Sequence, residues 1–177
     1  MGRQLWLSMD IDNYNARNNL AYYQTMMKQQ CNGDWEEPND FHITIDFLGD
    51  DETDYDKAEE ALHIFQERYN KYDYIGQSLY GNLMNMFDGG VLWIGVDDSW
   101  LLYDIRYKLR EIYNEVGYTP APDKFTGYTP HITMAYNVDV KPNITMQPVQ
   151  IPLTNISLWN SFKVNDTYVD NVLYAIR

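Results

Sequence analysis

Apolar and polar residues alternate loosely from Leu5 to Ile11, the period of a half-buried strand. The period then lengthens. Ala16, Leu20, Tyr23 and Met27 recur at helical spacing and predict a helix over 13–30. Gly33 to Asn39 reads as a loop with Pro38 as its breaker, and Phe41 to Leu48 as a strong strand stopped by Gly49. The acidic run Asp50 to Asp56 suits the positive end of a helix dipole and caps a second helix over 55–69. A strand at 74–83, a turn at Phe87-Asp88-Gly89-Gly90 and a short apolar strand at 91–96 follow. Ser99 resembles an N-cap, and Leu101, Ile105, Leu109, Ile112 and Val116 mark one face of a third helix, ended by Gly117. Beyond the proline-containing loop 119–129 come strands at 131–136, 151–162 and 168–176.

The pattern repeats. Leu5-Trp6-Leu7-Ser8-Met9-Asp10 resembles Leu92-Trp93-Ile94-Gly95-Val96-Asp97, and each is followed by a helix, a loop and a strand carrying His-Ile-Thr. Trp6 precedes His42 by 36 positions, and Trp93 precedes His131 by 38. Two similar strand–helix–strand halves are expected, with the two histidines brought together across a central cleft.

Those strands carry the candidate chemistry. In Phe41-His42-Ile43-Thr44-Ile45 and Pro130-His131-Ile132-Thr133-Met134, residues two apart share a face of the strand. Each strand thus has an apolar back for a core and a front of imidazole plus hydroxyl. A single His-x-Thr is ordinarily structural; two copies in matched halves form a constellation.

With their flanks, these residues resemble the 2H phosphoesterases, a family named for two His-x-Thr/Ser motifs. Phe41 to Gly49, ending Phe47-Leu48-Gly49, looks like the first motif, and Tyr128 to Ala135, with Pro130 before the histidine, like the second. The resemblance implies an α+β, bilobal fold. Two pseudo-symmetric lobes would line a central cleft with antiparallel sheets and carry helices outside, the whole of 1–177 being one two-lobed domain. It also implies a phosphodiesterase without cofactor or metal. Known members act on cyclic nucleotides, 2′-5′ oligoadenylates or cyclic oligonucleotide signals, and some are viral or phage enzymes that remove a nucleotide immune signal.

The chemistry stands independently of the resemblance. Cleaving a phosphodiester needs a base for the attacking oxygen and an acid for the leaving oxygen, and imidazole titrates near working pH. His42 and His131 are the candidate pair, in either order, with Thr44 and Thr133 donating to the non-bridging oxygens. The rival is a metal site, but only three histidines exist and His63 falls in the second helix as a surface or boundary residue. Catalytic zinc wants three well-spaced protein ligands, so metal-independent chemistry is expected.

Composition narrows the substrate. Lys and Arg number 13 against 26 Asp and Glu, for a net charge of −13, and no basic run occurs. Long nucleic acids are held mainly through Lys and Arg, so a small nucleotide is expected and long RNA or DNA is not. Phe41, Tyr128 and Trp93 are candidates for contacting a base, and Lys124 for a phosphate. Each has a plainer reading as packing or as a solvated loop residue. Tyr136 is set aside, because strict alternation turns it away from His131. The opening MGRQLWLSMD lacks the long apolar run of a secretory signal and no stretch could span a membrane, so a cytoplasmic protein is expected. Two other functions stay open, RNA 2′,3′-cyclic phosphate processing or 2′-5′ ligation, and a non-catalytic nucleotide-binding sponge. Oligomeric state is not legible.

Overall fold

The computed structural model describes residues 4–49, 55–97, 100–120 and 127–177. In chain order its elements are β1 (Gln4–Asp10), α1 (Tyr14–Lys28), β2 (Asp34–Trp35), β3 (His42–Gly49), α2 (Tyr55–Arg68), β4 (Ser78–Phe87), β5 (Val91–Asp97), α3 (Trp100–Glu115), β6 (His131–Tyr136), β7 (Val149–Pro152), β8 (Ile156–Val164) and β9 (Thr167–Ile176). Asn13 caps α1 by accepting from the Ala16 amide at 3.0 Å. Gly117 follows α3 at φ +75°, a conformation that glycine takes without strain. The expected Ser99 cap, the acidic residues 50–54 and Lys124 lie outside the described residues.

Three strand expectations shift. Tyr74 is not in a strand: it follows a 3-10 turn at Lys71–Asp73, is buried at 1% exposure, and donates its hydroxyl to Asp104. Packing against α3 claims it, and β4 starts at Ser78 instead. The strand expected over 151–162 is two strands, β7 and β8, parted where Leu153 donates to the Gln77 carbonyl and Asn155 bonds Asp10. The loop at 33–39 contains the short β2, which pairs with β6.

The strands form one antiparallel sheet in the order β7-β4-β5-β6-β3-β1-β8-β9, with β2 added on β6. Its two halves, β7-β4-β5-β6 and β3-β1-β8-β9, are the expected lobes. They meet at β3 and β6 through one register pair, Ile43 with Ile132. The helices exchange sides. α1, which follows β1, contacts β7 and reaches β6, where the Gln24 amide donates to the Met134 carbonyl. α3, which follows β5, lies against β3. Leu7, Met9, Ile43, Ile45, Ile94, Ile132, Met134 and Leu158 are fully buried between sheet and helices, each worth about 1.5–3 kcal/mol of apolar transfer. No described helix is long and apolar enough to cross a membrane.

Candidate active site

The site grows from the seam between the lobes. Ile43 and Ile132 face each other there at zero exposure, so their neighbours along each strand project to the opposite face. Those neighbours are His42 and Thr44 on β3 and His131 and Thr133 on β6, all half-exposed. The antiparallel sense places His42 on the Thr133 side of the pair and Thr44 on the His131 side. Each imidazole therefore has a hydroxyl from the other lobe beside it. The four residues expected as a catalytic group stand together on one face.

Both rings are tethered alike. His42 Nδ1 lies 2.8 Å from the Asp40 carbonyl oxygen, and His131 Nδ1 lies 2.8 Å from that of Thr129. A carbonyl only accepts, so Nδ1 carries the proton in each ring and Nε2 is left for a substrate. The 3-10 turn at Pro38–Asp40 supplies one carbonyl and the approach to β6 the other.

Their surroundings differ. Asp10 is the register partner of His42 across β1 and β3. The Ser8 hydroxyl donates to the Asp10 carboxylate at 2.9 Å, and the Trp159 indole N–H lies 3.2 Å from both its oxygens. Burial raises the Asp10 pKa, while Ser8, His42 and Trp159 pull it back. Glu36, just past β2, is also raised by burial and also feels His42. At His131 the register partner is Gly95. A side-chain carbon there would come within 3.0 Å of Trp93 Cζ3, so glycine gives the indole room beside the histidine. Trp93 and Phe87 flank the imidazole at 5.7 and 5.1 Å between ring centroids. Burial lowers the His131 pKa; the Thr129 hydrogen bond opposes this, and His42 lowers it further.

The expected substrate contacts divide. Phe41 is a correction: at 1% exposure it belongs to the core and its ring cannot meet a ligand. Tyr128 and Trp93 both line a cavity of about 250 Å³ on the His131 side, together with Leu83, Val96, Tyr103, Thr129 and Pro130. Tyr128 is also structural. Its hydroxyl donates to the Thr44 carbonyl at 2.7 Å, and the Arg106 guanidinium sits 4.9 Å over its ring. His63 lies tilted against Tyr174 of β9, with ring centroids 4.2 Å apart, and is a surface residue.

Sequence reasoning missed Asp10, Glu36 and Tyr136. Tyr136 shares a side-chain hydrogen bond with Thr133 and senses Glu36, so the residue set aside on alternation belongs to the site. It closes β6, and its register partner is Asp34 of β2, two residues before Glu36. Asp10 carried a local signal, since it ends the repeated Trp-containing segment, but only register across the sheet puts it beside His42. Among the described residues no group of three or more His, Cys, Asp or Glu is placed to hold a metal ion.

Residues 11–84 match the family model described as LigT-like phosphoesterase. No curated protein matches the chain. Among solved structures it is similar to Escherichia coli LigT in apo form, at TM-score 0.70 and 18% identity, over 99% of this chain and 96% of that one. LigT structures complexed with 3′-AMP, NADP+ and ATP match likewise. TT0787 of Thermus thermophilus matches at TM-score 0.71 and 20% identity, over 97% of this chain and 96% of that one. The MHV ns2 PDE domain matches at 0.65 and 14%, over 97% and 99%. At such identities the structural likeness shows the shared fold alone. The family match spans 74 of the 177 residues and includes the His42 strand, while the structural matches extend the shared fold over nearly the whole chain.

Proposed function

We propose that this protein is a metal-independent phosphodiesterase for a small cyclic or 2′-5′-linked nucleotide, working by two-histidine catalysis with His131 as the base and His42 as the acid. One observation carries the reading: two imidazoles on adjoining strands, tethered identically through Nδ1, with carboxylates beside one and aromatic rings beside the other.

With a 2′,3′-cyclic phosphate, neutral His131 Nε2 takes a proton from water as the water oxygen bonds to phosphorus. The P–O bond to one ribose oxygen breaks, and His42 gives that oxygen its Nε2 proton. Proton exchange with solvent then restores both rings. Asp10 and Glu36 set two carboxylates on the His42 side, whereas burial among aromatic rings disfavours a positive charge on His131. Thr44 and Thr133 donate to the non-bridging oxygens as negative charge gathers on them, and Tyr136 orients Thr133.

Two facts support a small substrate: the net charge of −13, and the 3′-AMP, ATP and NADP+ that LigT is seen to bind. The finer reading, a nucleotide immune signal removed on behalf of a virus, draws on the fold shared with the MHV ns2 PDE domain.

The test is a cleavage panel in EDTA with cyclic mono-, di- and trinucleotides, 2′-5′ oligoadenylate and 2′,3′-cyclic nucleotides. Wild type turns over at least one member without metal, and His42→Ala and His131→Ala each lose that activity. Tight binding of one member with no turnover would make the protein a nucleotide sponge and end the enzymatic reading.

A further inference from the structure

The cavity beside His131 has features that acid–base chemistry does not use. Its volume, about 250 Å³, is below the roughly 300–1,000 Å³ of pockets for drug-sized ligands, which suits one nucleobase. Thr129 and Pro130, immediately ahead of His131, form part of its wall, as does Trp93, whose ring centroid lies 5.7 Å from that of the imidazole.

The walls are flat and apolar. Leu83 is 60% exposed on one side, and the Tyr103 ring stands edge-on to Tyr128 with its hydroxyl donating to the Tyr128 carbonyl. Trp93 adds a third ring, and its buried indole N–H has no acceptor among the described residues. Aromatic surfaces of this kind stack on any base and do not choose between them.

The choice lies at the polar end. Asn82 donates its side-chain amide to Oδ2 of Asp97, and both residues line the cavity. That bond fixes the carboxylate and leaves its second oxygen, along with spare lone pairs on the first, to accept. Guanine presents two adjacent donors, N1–H and N2–H, which match the two oxygens of a carboxylate. Adenine presents one donor beside a ring-nitrogen acceptor, which the carboxylate repels.

We propose that this cavity is a guanine-selective base subsite, with Leu83 and Tyr103 covering the ring and Asp97, held by Asn82, accepting from N1–H and N2–H. The proposal rests on the phosphodiesterase reading above for its substrate, but its selectivity is measurable by binding alone.

The experiment compares guanosine, inosine and adenosine 2′,3′-cyclic phosphates by KM and kcat, and the matching 3′-monophosphates by calorimetric binding. Guanosine compounds bind about tenfold more tightly than adenosine compounds, with inosine, which lacks the N2 donor, between them. Asp97→Asn brings the guanine-to-adenine ratio near one. Leu83→Ala weakens both purines alike and keeps the ratio, which separates stacking from edge reading. Turnover without purine preference, or a preference that survives Asp97→Asn, overturns the subsite and spares the enzymatic reading. Guanine-selective binding without turnover of any cyclic phosphate does the reverse. Neither binding nor turnover overturns both.

Discussion

Around His42 the neighbours are acidic and around His131 they are aromatic, although the two rings hang from equivalent strands by the same 2.8 Å bond to a carbonyl two residues back. The cause is register. The repeated segments align Asp10 with Asp97 in sequence, and Asp10 duly stands across from His42. In the other lobe Gly95 stands across from His131, so the pairing is offset by two residues and Asp97 is carried past the histidine to the cavity. A shift of two keeps every side chain on its own face, so the core is undisturbed while the site changes. Pseudo-symmetry supplies two matching imidazoles; the offset makes them unlike, and a proton relay needs an unlike pair.

The sharpest way to break this comparison is to remove the need for an acid. A nucleoside 3′-(4-nitrophenyl phosphate) has a leaving group that departs without a proton. On ordinary substrates His42→Ala and His131→Ala each lose about 10²- to 10⁴-fold in kcat. On the nitrophenyl ester His42→Ala recovers most of its loss and His131→Ala does not. Equal losses on both substrates would show that the carboxylate side does not select the acid.

Behind the site the halves differ again, with a smaller expected effect. A bulge in β3 between Thr44 and Asp46 turns Asp46 to the helix side, where Arg110 grips it bidentately at 2.8 and 2.9 Å and Arg106 lies 3.5 Å away. Counting from the histidines, the matching residue on β6 is Ala135, fully buried. There the tie is the neutral Gln24, which donates to the carbonyls of Glu36 at 2.7 Å and Met134 at 3.0 Å. Removing one partner of a buried ion pair strands the other charges, so Asp46→Ala costs about 3–5 kcal/mol in urea unfolding. Gln24→Ala strands only carbonyls and costs about 1–3 kcal/mol. The reverse order would mean that β6, not β3, is the more firmly anchored strand.

What the sequence made legible was whatever depends on neighbours along the chain. His42 and Thr44 share a face because of period two, and Ile43 and Ile45 are buried for the same reason. The three helices emerge within a residue or two of their expected positions because their apolar stripes run for three or four turns. What depends on pairing across the sheet was hidden. Phe41 looked like a base-stacking residue beside a catalytic one, yet it precedes the strand and its ring enters the core. Tyr136 was set aside on an alternation that ends where β6 meets β2. Asp10 and Glu36 reach His42 only because β1 pairs with β3 and β2 with the neighbouring β6, and β-bulges make such registers unreadable from local pattern.

The smallest expected effect probes the environments directly. A base must be neutral to accept a proton, so kcat/KM rises with pH through the His131 pKa of the free enzyme. Burial holds that pKa below the ordinary imidazole value, which puts the ascending limb below about 6.5. Phe87→Ala removes a ring 5.1 Å from the imidazole and lets water back. Solvation restores the charged form, so the limb moves upward, toward the ordinary imidazole value. Asp10→Asn, made in the other lobe, shifts this limb less than Phe87→Ala does, because Asp10 stands beside His42 and not His131. A pH–rate series on the two variants decides it. If Asp10→Asn moved the ascending limb as far as Phe87→Ala, the base would be sensing the carboxylate side, and the roles of the two histidines would have to be exchanged.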